Sequence, residues 1–172
     1  MENYIKTVLY AYPLLKNVEV EYAEHIKNKA ILSYDSRWDA EKLTEYLAEE
    51  ILSKNHLIWL RQLIERVVAR LNEVERVLLS IRYFGQTRCA QVFKEQSKEI
   101  GALAWSERTY FRKQQRLGEK VAAMLCVDGL TRDVFDRDFA HLDIIGRIHK
   151  FVEEGRDRKI AADETRWLHG RE

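Results

Sequence analysis

Residues 57–81 read LIWLRQLIERVVARLNEVERVLLSI, and the spacing of their apolar side chains decides the fold class. Leu57, Leu60, Ile64, Val67, Leu71, Val74, Leu78 and Ile81 alternate intervals of three and four without a break. With roughly 3.6 residues per turn, that alternation draws one apolar stripe along an α-helix. Leu63, Val68 and Val77 fall on the shoulders of the stripe and widen it beyond the seam of a two-stranded coiled coil. The core of a helical bundle is therefore expected, with an intermolecular coiled coil as the alternative. Asn72 stands where it would split the run by capping a second helix, NEVERVLLSIRYF.

The same character extends in both directions. One proline and seven glycines in 172 residues leave few breakers, and Leu, Glu, Lys, Arg and Ala dominate. Hydrophobic residues at 46% and charged residues at 33% give a globular balance. Upstream, residues 3–31 read as helix, bent or restarted at Pro13, with Leu14, Val18, Tyr22, Ile26 and Ala30 on one stripe. A loop around residues 33–39 is followed by a helix capped by Asp39, with a break expected at Lys54-Asn55. Downstream of Gly85 a short helix precedes a second one that Ser106 caps and that runs from Glu107 to about Leu125, with Gly118 as its weak point. Asp128-Gly129 signals a turn. Helical pieces follow around Phe135, Phe139, Leu142, Ile145, Ile148 and Phe151, and a mobile tail is expected beyond Gly155. The expectation is an all-α fold, a helical bundle with a helix-turn-helix in its C-terminal half. Residues 1–70 would form an N-terminal bundle for dimerisation or partner contact, 71–126 the helix-turn-helix, and 127–172 a helical extension with its tail.

Several function classes find no support in the residues. The first residues lack a basic start followed by an apolar run, and no window approaches a membrane span, so no secretory signal or membrane partner is expected. Cys89 and Cys126 are isolated thiols, read as reduced in a cytoplasm. His25, His56, His141, His149 and His169 are scattered without metal-ligand spacing, and Asp133, Asp136 and Asp138 lack the glycine turn of a calcium loop. Trp105, just before the Ser106 cap, is expected to pack toward Tyr110 or Phe111 as a hydrophobic staple. No nucleophile–base arrangement or phosphate-cradling loop is present, so neither catalysis, a metal nor a cofactor is expected.

Charge is distributed unevenly. Residues 82–120 carry nine basic and four acidic side chains, whereas 1–81 and 121–172 each carry a net −2. The basic stretch contains the capped helix from Glu107, whose period turns Tyr110, Gln114 and Leu117 inward. Glu107, Arg108, Phe111, Arg112 and Gln115 then face outward. Arginine bonds bidentately to guanine, glutamine to adenine, and glutamate accepts from cytosine, so Glu107, Arg108, Arg112 and Gln115 are candidate base readers. Lys113, Arg116 and Lys120 lie to the side, and with Arg88, Lys94, Lys98 and the Ser106 cap they are candidates for phosphate contacts.

LNEVERVLLSIRYFG followed by KEIGALAWSERTYFRKQQRLGEKVAAML resembles region four of bacterial sigma factors. More closely, the stretch resembles phage ArpU/RinA-type transcriptional regulators, with residues 105–112 carrying most of the likeness and residues 12–16, YPLLK, similar to their N-terminal portion. The resemblance implies a sequence-specific regulator that reads duplex DNA with a helix in the major groove. It leaves open a contact with RNA polymerase and a homodimer. Two other readings stand beside it: an oligomeric DNA-packaging subunit like a small terminase, with the 57–81 seam as its interface, and a helical adaptor with no nucleic-acid role.

Overall fold

The computed structural model describes residues 1–32, 40–84 and 105–155, apart from the side chains of Leu32 and Glu107. Among these residues there are six helices and no strand: α1 (Asn3–Leu32), α2 (Ala40–Ala69), α3 (Glu73–Tyr83), α4 (Glu107–Val127), α5 (Arg132–Asp138) and α6 (Asp143–Glu153). The all-α expectation holds. Asp39, the short helix expected after Gly85, and residues 156–172, where a mobile tail is expected, lie outside the described residues.

The first half of α1 is the centre of the packing. Ile5, Thr7, Val8, Leu9, Ala11 and Leu15 are all essentially inaccessible, so most of the surface of this part of the helix is covered, with Lys6, Tyr12 and Pro13 half-buried. Helix α2 runs antiparallel to it, as the cross-links show: His25 Nε2 to Tyr46 Oη at 2.8 Å near one end, and Arg61 to Glu19 nearer the other. Helix α6 packs on another side, where Thr7 donates to the Asn3 carbonyl and its Oγ1 lies 2.9 Å from His149 Nδ1. Tyr10 meets Tyr83 of α3 edge-on at 4.8 Å between centroids, and Tyr4 meets Phe135 of α5 at 5.8 Å. One hydrophobic cluster thus takes residues from all six helices, including Phe135, Phe139, Ile145 and Ile148 from the C-terminal pieces.

Two expected interruptions do not occur. No restart is seen at Pro13: α1 continues through it for 30 residues. Proline forfeits one backbone bond and crowds the preceding turn, at a cost of about 3 kcal/mol, but Leu9, Leu14, Leu15 and Val18 are buried around it and that burial outweighs the loss. Likewise α2 runs unbroken through Lys54-Asn55. Lysine and asparagine cost only tenths of a kcal/mol in a helix, and the buried Leu57, Leu60, Leu63 and Ile64 carry the element past them.

The 57–81 stripe behaves as a bundle core. Leu57, Leu60, Ile64, Val67, Leu71 and Leu78 are buried within the chain, as are Leu63 and Val77 on its shoulders, whereas Ile81 is 38% exposed. Nor is it one helix. Asn72 caps α3 with a full capping box: its side chain accepts from the Glu75 N–H at 2.9 Å, and the Glu75 carboxylate accepts from the Asn72 N–H at 3.1 Å. Arg76 Nε then donates to the Leu71 carbonyl at 2.9 Å, satisfying a group left over at the end of α2.

Gly129 is required by a turn, whereas Gly118 has room for a side chain. Gly129 adopts φ +106°, a conformation that L side chains avoid, and lets the chain reverse between α4 and α5. Gly118 lies inside the unbroken α4, buried beside Met1, where an added Cβ would sit 3.5 Å from the Met1 sulfur, an ordinary contact. The same substitution should therefore have opposite signs at the two sites. Gly118→Ala should stabilise the protein by about 0.4–1 kcal/mol and Gly129→Ala should destabilise it by about 1–2 kcal/mol, read by urea denaturation. Equal effects at both positions would contradict this account.

Candidate nucleic-acid interface

Helix α4 owes its start to Ser106, which is extended at φ −61° and ψ 149° while its Oγ accepts from the Thr109 N–H. Its backbone carbonyl accepts the first helical bond, from the Tyr110 N–H at 3.0 Å. The helix is seated by its inner side. Leu117, Val121 and Leu125 are buried in the common core. Gln114, expected to turn inward, is 4% exposed, and its Nε2 donates to the Leu78 carbonyl of α3 at 2.8 Å and to Tyr110 Oη at 3.2 Å. An amide buried with its N–H groups satisfied fixes rotation and register, because a slip would leave them unpaired.

Arg108, Phe111, Arg112 and Gln115 are all exposed on the opposite side, as their period requires. Phe111 keeps 53% of its surface exposed, although its ring meets Tyr110 edge-on at 5.7 Å. Gln115 donates to Glu119 at 3.1 Å, one turn on. Among the described residues, no carboxylate forms an ion pair with Arg108, Arg112 or Arg116. Arg88, Lys94 and Lys98 lie outside the described residues, as does the side chain of Glu107, so the structure assembles only part of the candidate set.

The flank of α4 differs from what period alone suggests. Lys113, Arg116 and Lys120 are exposed there, but both lysines are engaged. Lys113 Nζ stands 4.4 Å from the centroid of the Trp105 ring, and the half-buried Trp105 is packed against the core. Thus the indole that was expected to staple the helix supports a cation. Lys120 Nζ donates to both carboxylate oxygens of Glu75 at 2.8 Å. That carboxylate belongs to the α3 capping box, so one acidic group serves two helices. Partial burial pushes the Glu75 carboxyl upward, but the Lys120 hydrogen bond, the Asn72 N–H and the Lys120 charge together outweigh it and hold it below the ordinary glutamate range. Sequence reasoning located the Asn72 cap but not Glu75 or its partner 45 residues away.

Other candidate groups have structural roles. His25 pairs with Tyr46, and His149 bridges Thr7 and Glu153. Asp136 and Asp138 pair with Arg132 and Arg137. Cys126 is a free, exposed thiol. Among the described residues there is no cluster of metal-ligating side chains, and no helix is long and apolar enough to cross a membrane. No known family, curated protein or solved structure matches this chain.

Because the folded-state value of Glu75 lies below its unfolded value, the stability it contributes is fully present above the ordinary glutamate range and is lost as pH falls through the depressed folded value. An NMR titration should give a Glu75 midpoint below that range, and Lys120→Ala should raise it. An unchanged midpoint would mean that the bridge does not form in solution.

Proposed function

We propose that the chain binds duplex DNA with the outer face of α4 in the major groove, as a sequence-specific transcription regulator. The observation that carries this reading is the exposed trio Arg108, Arg112 and Arg116, without a carboxylate partner among the described residues, on a helix seated by a buried amide and capped by a serine. A major groove about 12 Å wide admits one α-helix, and arginine is the side chain that pairs bidentately with guanine. Arg108 and Arg112 would read bases, with Gln115 and Glu107 beside them. Ser106, Lys113 and Arg116, together with Arg88, Lys94 and Lys98, would hold phosphates, and Lys120 could join them only on leaving Glu75. The likeness of residues 71–125 to ArpU/RinA-type regulators and to sigma region four supports the same assignment by analogy.

The packaging alternative loses its interface. Most of the 57–81 seam it would need for a ring is buried inside the chain's own core. The adaptor reading remains as the outcome expected if no duplex is retained.

Selection of bound duplexes from a randomised library at physiological salt should enrich a motif. Arg112→Ala should then cost about 1–3 kcal/mol on that motif and relax preference at one base position, whereas Arg116→Ala should weaken all duplexes alike. With about five phosphates neutralised, log affinity should fall against log salt with a slope near −4 to −5. Failure to enrich any motif, together with a flat salt dependence, would overturn the assignment.

A further inference from the structure

Helices α3 and α4 enclose a cleft of about 540 Å³ whose α4 wall carries Lys113, Arg116 and Lys120 and whose α3 wall carries Glu73 and Glu75. Three cations from successive turns of one helix face a single concavity, and an anion already lies among them. The Glu75 carboxylate takes two 2.8 Å hydrogen bonds from Lys120 Nζ. A carboxylate and a phosphodiester each offer two oxygens of similar reach, so the Glu75 head group marks where a phosphate would sit. Lys113, resting over the Trp105 ring, keeps its ammonium donors on the same wall, and Arg116 lies between the two lysines in sequence.

We infer that this cleft is a phosphodiester subsite occupied by the chain's own Glu75, which holds Lys120 out of the phosphate contacts and lowers affinity for every duplex regardless of sequence. The inference rests on the DNA-binding reading. It adds to that reading an internal competitor: nucleic acid gains the Lys120 contact only by displacing the carboxylate. Glu75 also sits in the first turn of α3, where its charge masks the positive end of the helix. Removing that charge would free the lysine, while Glu73 keeps an acidic group in the same turn.

Glu75→Gln is a clean probe, because glutamine retains the capping-box bond to the Asn72 N–H and discards only the charge. The full chain is titrated with a fluorescent mixed-sequence duplex at several salt concentrations. One further neutralised phosphate should tighten binding by roughly five- to ten-fold at about 0.1 M monovalent salt and steepen the log–log salt slope by about 0.9. Lys120→Gln alone should leave the salt slope unchanged, because that lysine neutralises no phosphate while Glu75 holds it, and the double variant should lose the gain. Wild-type binding that is matched by Glu75→Gln would overturn the inference while leaving the DNA reading intact. A Lys120→Gln salt slope made as shallow as that of Arg116→Gln would overturn it too, since the subsite would then be open from the start; this outcome does not depend on how Glu75→Gln folds. A gain that persists in the double variant would assign the effect to overall charge and reject the cleft. Duplex retained by neither protein would remove the DNA reading and this inference together.

Discussion

The burial of the first half of α1 is the constraint on which the other helices depend. Val8 and Leu15 have no accessible surface, and neither does the Thr7 side chain, a polar group that a core admits only when it is hydrogen-bonded. Thr7 meets that condition by donating to Asn3 within its own helix and meeting His149 of α6. The pairing therefore fixes the rotation of α6 against α1 as well as its distance. Phe135 of α5, whose ring meets both His149 and Tyr4 at a tilt, closes the same corner. Without α1, helices α2, α3, α5 and α6 would each lose the surface that covers their apolar side. This also explains how a proline can sit within that helix without ending it: the buried Leu9, Leu14, Leu15 and Val18 outweigh the lost backbone bond.

Position is passed from that centre to the exposed face of α4 through two kinds of contact. Leu117, Val121 and Leu125 supply non-directional burial, which sets the depth of the helix but tolerates small rotations. Gln114 and the Glu75–Lys120 bridge are directional, and both reach α3 rather than α1. Helix α3 is itself tied down at both ends, by the capping box at Asn72 and by the contacts of Tyr83 with Tyr10 and of Phe84 with Tyr12. The outward direction of Arg108 and Arg112 is thus set by a chain of polar and aromatic contacts that ends on the buried part of α1. Rigid support of this kind is what a surface needs if it is to recognise a shape and not merely attract charge.

What was legible in the sequence was local or periodic. The caps at Asn72 and Ser106 and the turn at Gly129 are each decided within a few residues, by a side chain that bonds a nearby N–H or by a φ that only glycine adopts freely. The inward turn of Gln114 and the outward turn of Arg108, Arg112 and Gln115 follow from period alone. Lys54-Asn55 misleads because its local preference is nearly neutral, which leaves the decision to distant packing that no window contains. Pro13 misleads in the opposite sense: its local penalty is real, but the burial on both sides is larger. The engagement of Lys113 by Trp105 is invisible for a further reason, since an aromatic before a cap reads equally well as a staple. The Lys120 bridge spans two helices, and nothing in either segment announces the other.

The charge pattern acquires a different meaning once these contacts are known. Counted along the chain, α4 presents five cations from Arg108 to Lys120, which suggests broad attraction for any polyanion. In the structure one of those charges is cancelled by a carboxylate at hydrogen-bond distance, and an opposed pair at that separation produces a field that decays faster than a lone charge. Arg108, Arg112 and Arg116 remain, four residues apart, so that each lies about 6 Å along the axis from the next. That spacing is inside a Debye length of about 8 Å at physiological ionic strength, so the three act jointly on a nearby anion and scarcely on a distant one. Among the described residues these three have no carboxylate partner; they are guanidinium groups, whose fixed fork favours bidentate partners, whereas the two lysine ammonium groups, which act as point charges, meet Trp105 and Glu75. On the DNA-binding reading, this division weakens the sequence-independent part of the interaction and leaves the geometric part, so the ratio of specific to non-specific affinity is governed as much by Glu75, which holds Lys120 back, as by the arginines themselves.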